Sequence, residues 1–215
     1  MSKSQKILSF LAGISAFVHV LSEYLGPQIL IYIFKPLTMI FIISIAIIGM
    51  RKNRSFYAFL ILAGLVFSLA GDIFLMLPSD MFMQGLVSFL IGHIFYILAF
   101  SWGMRLGIKS FSWIPYLVYG VLISWYMLPS LEAMTVPVLI YIIVILTMGW
   151  RAYERWTQTR IRGAGLAFIG AILFIVSDSA LGINRFTLPF DLSTFVVLSS
   201  YFIAQWLFAR SVSAQ

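Results

Sequence analysis

Eight apolar runs, each close to the length of a membrane-spanning helix, divide this chain, with short polar connections between them. They fall at about 7–24, 28–50, 55–77, 81–103, 111–128, 134–150, 163–183 and 189–209. A bilayer core of about 30 Å takes about 20 apolar residues of helix. Inside hydrocarbon, backbone N–H and C=O groups need partners within the protein, which a helix supplies from its own segment. The runs therefore predict an all-α membrane protein of eight transmembrane helices, forming a single integral membrane domain over residues 1–215. Composition agrees, because 62% of the residues are hydrophobic and 10% are charged, too few charges to cover a water-soluble surface.

The connections test the number of spans. With the amino terminus inside, Lys3, Lys6, Arg51, Lys52, Arg54, Arg105, Lys109, Arg151, Arg155, Arg160, Arg162 and Arg210 all fall on the inner side. Arg185 alone falls outside, and Lys35 lies within a span. Glu23, Asp80, Glu132 and Asp191 sort to the outer side. Basic residues collect on the cytoplasmic face of membrane proteins, and a wrong span number would scramble this alternation. The predicted orientation places both termini in the cytoplasm. Lys3 and Lys6 before an apolar run resemble the start of a signal peptide, but His19 and Glu23 interrupt any small-residue cleavage site, so the first span is read as retained. A bacterial cytoplasmic membrane is the expected location, since the chain is short and carries no appended targeting signal.

Several chemistries are excluded by count. Cysteine is absent, which removes thiolate nucleophiles, disulfides and Cys-based metal sites. His19 and His93 are the two imidazoles, so a zinc hydrolase with three histidine ligands is ruled out. The net charge of +7 lies in inner loops rather than in a basic stretch interleaved with aromatics, so no nucleic-acid partner is expected. No metal site and no cofactor are expected. Oligomeric partners leave no mark on the sequence.

Lys35, Asp72 and Asp178 remain inside spans. Each costs roughly 3 kcal/mol at a helix centre on insertion scales, and such residues usually face a polar interior and mark a site. A structural ion pair of Lys35 with one aspartate is the plain alternative, but it leaves the second aspartate without a purpose. At about 1.5 Å per residue, Lys35, Asp72 and Asp178 all lie roughly 7–12 Å below the outer ends of their spans. Three helices thus bring charge to one level, and His19 reaches a similar level. His93 and Tyr201 lie roughly 18 Å deep, and Gln205 shares a helix face with Tyr201. These three are read as a pocket floor, with interhelical hydrogen bonding as the alternative. Asn184 and Arg185 close the seventh span, where a guanidinium can bind phosphate or reach the headgroups.

Two segments resemble each other. Gly64 precedes Asp72 by eight residues, as Gly170 precedes Asp178. Their spans are four apart and run in the same direction, which suggests a four-plus-four parallel repeat; coincidence between apolar, glycine-containing segments is the alternative.

The motifs Lys35-Pro36, Ser68-Leu69-Ala70-Gly71-Asp72, Gly92-His93-Ile94-Phe95-Tyr96, Ser177-Asp178-Ser179, Asn184-Arg185-Phe186, and Tyr201 with Gln205 follow one another from the second span to the eighth. In this set the chain resembles the YhhN-type lysoplasmalogenases, multi-pass membrane enzymes. The first, fifth and sixth spans carry no matching motif. The resemblance implies hydrolysis of the vinyl ether bond of lysoplasmalogen, a lysophospholipid, to a fatty aldehyde and glycerophosphoethanolamine or glycerophosphocholine. It makes Asp72 and Asp178 the expected catalytic pair. Lys35, His93, Asn184, Arg185, Tyr201 and Gln205 are the expected substrate-binding residues. Vinyl ether cleavage needs a carboxylic acid to protonate the alkene and a carboxylate to stabilise the cation and deprotonate water. Two aspartates in a low-dielectric site resist ionising together. Asp72, beside Lys35, is favoured as the base.

Two other readings stay open. Intramembrane acids, a lysine and a parallel repeat also suit a proton-coupled small-molecule transporter. An intramembrane aspartyl protease also needs two aspartates on two helices, but the seventh span lacks the Gly-x-Gly-Asp sequence typical of that class.

Overall fold

The computed structural model describes residues 2–52, 54–104 and 111–214. Arg105 and Lys109, read above as inner-loop charges, lie outside the described residues. Helices are the only regular secondary structure among the described residues, with no strand. The helices are α1 (Lys3–Leu25), α2 (Gln28–Lys52), α3 (Phe56–Met76), α4 (Phe82–Ser101), α5 (Ile114–Met127), α6 (Thr135–Thr159), α7 (Arg162–Gly182) and α8 (Ser193–Ser211). Among the described residues, seven helices are long and apolar enough to cross a membrane. The exception is α5, with 14 residues, which short 3₁₀ turns at Leu128–Ser130 and Glu132–Met134 join to α6.

Helix ends follow local chemistry. Ser2 caps α1, its hydroxyl accepting from the Gln5 N–H while the Gln5 side chain accepts from the Ser2 N–H, a reciprocal capping box. This starts α1 four residues before the apolar run at 7. Helix α6 shows the largest departure from the apolar runs, continuing to Thr159 rather than stopping near Trp150. Its last turns carry charge, yet Arg151, Glu154 and Arg155 are buried. Arg151 Nε donates to Ser101 Oγ at 2.9 Å, and Arg155 Nη1 donates to the Trp102 carbonyl at 2.8 Å. The Arg155 guanidinium also lies 4.6 Å from the Tyr57 ring centroid. Buried charges need such partners, and hydropathy alone does not reveal them.

Helices α7 and α8, α3 and α4, and α1 and α2 form the most extensive pairs. Helix α2 also packs on α3 and α8, while α6 packs on α4 and α7. The most enclosed helix is α8, with 61% of its apolar window buried against 22% for α1; α8 is the centre of the bundle and α1 its flank. Within a bilayer, small residues let helix backbones approach closely. A Cβ on Gly92 of α4 would stand 3.1 Å from the Gly64 carbonyl oxygen of α3, and one on Gly64 would stand 2.3 Å from the Tyr96 ring. The core near these glycines is aromatic: Tyr96, Phe100, Phe174 and Phe208 are fully buried and pack ring against ring. That dense layer occupies the half of the bundle nearer the chain termini. The other half contains the cavities.

Candidate active site

At the end of the bundle away from both termini, a cavity of about 540 Å³ opens between the helices. Most of its wall is apolar, with Leu75, Leu86, Phe89, Ile142, Ile175 and Leu198 among the side chains that form it. Lys35, Asp72, Tyr141, Asp178, Asn184, Arg185 and Tyr201 bring polar atoms into the same space. A long apolar wall with a few converging polar groups is the usual form of a small-molecule site.

Asp72, near the carboxy-terminal end of α3, is 2% exposed. The Tyr201 hydroxyl of α8 donates to its Oδ2 at 2.5 Å. Lys35 Nζ of α2 stands 3.7 Å from its Oδ1. Pro36 follows Lys35 inside α2. Its ring displaces the carbonyl four residues back and removes one intrahelical hydrogen bond, which loosens α2 where the lysine enters the protein. Asp178 of α7 is held differently. The Tyr141 hydroxyl of α6 donates to its Oδ2, and among the described residues no cation lies within salt-bridge distance of it. Next to it, Ser179 Oγ accepts from the Tyr119 hydroxyl of α5 at 2.7 Å. One aspartate is thus paired with a cation and a phenol, the other with a phenol alone.

The remaining residues singled out from the sequence divide into two groups. Asn184 and Arg185 belong to the cavity mouth, on a single π-helical turn over Ile183–Thr187 that ends α7. Asn184 Oδ1 accepts from the Phe190 N–H at 3.1 Å and braces the following loop. Arg185 Nη2 donates to both oxygens of Asp80, at 3.0 and 3.1 Å, and its guanidinium covers the Phe82 ring at 4.1 Å. This ties the end of α7 to the α3–α4 connection. His93 and Gln205 lie outside the cavity wall. His93 is 1% exposed, with its ring 5.3 Å from Tyr141 and 4.6 Å from Phe174, so it backs the tyrosine that serves Asp178. Gln205 lies one turn beyond Tyr201, and its Oε1 accepts from the Tyr96 hydroxyl at 2.8 Å. Both sit behind the residues that touch the cavity. His19 of α1, expected near the level of Lys35 and the two aspartates, packs edge-on against Phe202 at 5.7 Å and stands 3.7 Å from Glu23.

Two wall residues escaped the reading of the sequence. Tyr141 lies in a span without a matching motif, and its hydroxyl becomes notable only beside Asp178. A signal for it was present: Tyr141 precedes Asp178 by 37 residues, the same interval that separates Lys35 from Asp72. Glu23, an outer-side acid with no expected role in the site, lines the cavity together with Lys35.

The model of the YhhN family matches residues 30–212. The chain belongs to the YhhN family. The match begins inside α2 and contains Lys35, Asp72, Tyr141, Asp178, Asn184, Arg185 and Tyr201, whereas α1, with His19 and Glu23, precedes it. Among curated YhhN relatives, the "Uncharacterized membrane protein YhhN" of Escherichia coli O6:H1 is 30% identical over 95% of this chain and 98% of its own length. The lysoplasmalogenase TMEM86A of Homo sapiens is 34% identical, over 70% of this chain and 64% of its own length. The lysoplasmalogenase TMEM86B of Sus scrofa is 32% identical, over 69% and 61% respectively. This is a membrane protein of the YhhN family with several apolar helices. No solved structure matches it.

Proposed function

We propose that this protein is a lysoplasmalogenase, a membrane hydrolase that splits the vinyl ether bond of a lysophospholipid by aspartate acid–base catalysis. The observation that carries the proposal is that Asp72 and Asp178, from two different helices, line one largely apolar cavity with unequal partners. Relatives named lysoplasmalogenase support the choice of substrate.

The chemistry runs as follows. An unpaired carboxylate is costly to bury, so Asp178, with no cation within salt-bridge distance among the described residues, is the acid and carries the proton. It transfers that proton to the alkene carbon remote from the ether oxygen. The carbon next to the oxygen becomes an oxocarbenium ion. Asp72, ionised beside Lys35, stabilises this cation and takes a proton from the water that attacks it, leaving a neutral hemiacetal. Asp72 then returns its proton to the ether oxygen while Asp178 recovers one from the hemiacetal hydroxyl. The C–O bond breaks to a fatty aldehyde and a glycerol hydroxyl, and both acids regain their starting forms. Tyr201 and Tyr141 hold the two carboxyl groups in place, one on each side. His93 packs behind Tyr141, and Gln205 lies one turn behind Tyr201. The vinyl ether sits next to glycerol at the top of the hydrocarbon region, near the depth expected of Asp72 and Asp178. Arg185 and Asn184 line the mouth by which the lipid enters, and the apolar wall takes the alkenyl chain.

The same proposal includes eight crossings with both termini cytoplasmic. Helix α5 and its extension to Ser130 supply the remaining span, and a bilayer adapts locally to a short one. It also includes a parallel repeat. Advancing 106 residues carries Lys35 onto Tyr141, Gly64 onto Gly170 and Asp72 onto Asp178. The same step carries the ends of α3 onto those of α7. Under it, the packing of α2 on α3 and α8 corresponds to that of α6 on α7 and α4. Because native cysteine is absent, single cysteines at Ser2, Ser79 and Thr159 report orientation without background: only the one at Ser79 should react with an impermeant reagent added outside intact bacterial cells.

The catalytic test is aldehyde release from lysoplasmalogen by detergent-purified protein in chelator, with the acyl lysolipid as control. Activity should persist in the wild type and vanish in both Asp72→Asn and Asp178→Asn. Wild-type turnover by either variant removes that aspartate from the mechanism. A wild type that releases no aldehyde, while Asp72→Asn abolishes coupled uptake into vesicles, would replace the hydrolase with a transporter.

A further inference from the structure

The catalytic cavity has a neighbour. A second space of about 550 Å³ lies where the end of α1, the start of α2 and the end of α3 come together. Gln28, Ile31, Tyr32, Met76, Leu77 and Pro78 form its own wall. Glu23, Lys35 and Leu75 line both spaces, so the two meet at these side chains.

The charges at this junction are ordered. Lys35 stands 3.7 Å from Asp72 on the side of the catalytic cavity. Glu23 lines the same junction but is not within salt-bridge distance of Lys35. The His19 imidazole, one helical turn back, stands 3.7 Å from the Glu23 carboxylate. The Glu23 side chain is 28% exposed, open to whatever enters. A cation and an anion thus stand side by side without being joined, and an aromatic side chain, Tyr32, is in the wall next to them. A zwitterion offers the complementary pattern: a phosphate for Lys35 and a positively charged nitrogen for Glu23. An ethanolamine ammonium is satisfied by the carboxylate as a charge-assisted donor, and a quaternary nitrogen gains from the face of a tyrosine.

We propose that the second cavity is a headgroup subsite, in which Glu23 recognises the ammonium of a zwitterionic phospholipid while Lys35 meets its phosphate. This rests on the lysoplasmalogenase reading of the adjoining cavity and extends it to the substrate's polar end. The lipid then lies across the junction, with its headgroup between α1, α2 and α3 and its chain among the apolar side chains of the larger space. Glu23 is a specificity residue in this arrangement, and α1, which precedes the family match, supplies it.

The experiment measures binding of alkyl-ether lysolipids, which carry a saturated ether and cannot react by alkene protonation. Detergent-purified full-length protein is titrated calorimetrically with the phosphoethanolamine analogue and with an analogue ending in phosphate alone. Wild-type protein should prefer the amine-bearing lipid by about ten-fold, as expected for one desolvated charge-assisted contact, and Glu23→Gln should reduce that preference to within two-fold. Glu23→Asp, which keeps the charge but withdraws it by one methylene, should fall between them and supplies the comparison if the glutamine variant does not fold. In turnover assays, KM for the ethanolamine substrate should rise in Glu23→Gln with a smaller change in kcat. A purely structural glutamate would instead weaken both lipids equally. An unchanged preference in the folded variants overturns the subsite, whether or not the wild type releases aldehyde. A preference lost in Glu23→Gln, in a wild type that releases none, leaves the subsite standing and overturns the reaction.

Discussion

Replacing Lys35 with methionine isolates the electrostatics of the site. The side chains of Lys35 and Asp72 are 11% and 3% exposed and their charged atoms are 3.7 Å apart. An exposed pair would contribute about 0–1 kcal/mol. Removing one member of a buried pair typically costs about 3–5 kcal/mol, because the other is left charged without a partner. Two features place this pair at the lower end. The separation exceeds the roughly 2.7–2.9 Å of a tight charge-assisted hydrogen bond, and Asp72 keeps the Tyr201 hydroxyl at 2.5 Å. Lys35→Met should therefore destabilise the protein by about 3 kcal/mol. Asp72→Asn leaves the more accessible lysine near Glu23 and should cost about 2 kcal/mol. In the double variant neither charge is stranded, so its loss should fall about 2 kcal/mol short of the sum of the single losses, well outside the additivity of independent sites. The assay is reversible unfolding in mixed micelles, run on all four proteins. Aldehyde release should be absent from the double variant despite its recovered stability. A loss below about 1 kcal/mol for Lys35→Met, or strictly additive losses, would refute the claim that this charge pair is buried and coupled.

The two phenols should differ. Tyr201→Phe removes a hydrogen bond to the ionised aspartate and should cost about 2 kcal/mol, whereas Tyr141→Phe removes one to the neutral acid and should cost about 1 kcal/mol; the reverse order in unfolding would exchange the roles of Asp72 and Asp178. Gly64→Val should destabilise by about 1–3 kcal/mol through overpacking, since its Cβ would sit 2.3 Å from Tyr96, whereas Gly13→Ala, with nothing within 4 Å, should be neutral or stabilising. Equal stabilities for these two variants would contradict the close approach of α3 to α4. Arg185→Gln should change stability by less than about 1 kcal/mol, because its pair with Asp80 is 40% and 76% exposed; a larger loss in thermal unfolding would mean that the α7 end depends on this contact.

Much of the architecture was legible without coordinates because a bilayer leaves the chain few options. Backbone polar groups must be paired and lipid-facing side chains must be apolar, so the helices and their approximate ends follow from the length and spacing of the apolar runs. The same cost makes Lys35, Asp72 and Asp178 conspicuous in the sequence, and the three line one cavity. The charged extension of α6 was not legible, because Arg151, Glu154 and Arg155 look like an inner loop until the neighbouring helices supply their surroundings.

What the sequence by itself determined is therefore one-dimensional: which segments are helical, and how deep along its helix each polar residue lies. Only the tertiary structure decided which residues share a face of the bundle. Lys35 and both aspartates arrive at similar levels, and nothing in that depth assigns the lysine to Asp72 and a tyrosine to Asp178. His93 and Tyr201 lie at comparable depth as well, yet one packs behind Tyr141 and the other lines the cavity. Each residue along a helix turns the side chain by about 100°, so rotation about the axis and the choice of neighbour convert equal depth into different roles. Close packing at Gly64 and Gly92 sets the rotation of α3 against α4, and such packing exists only once the helices have met.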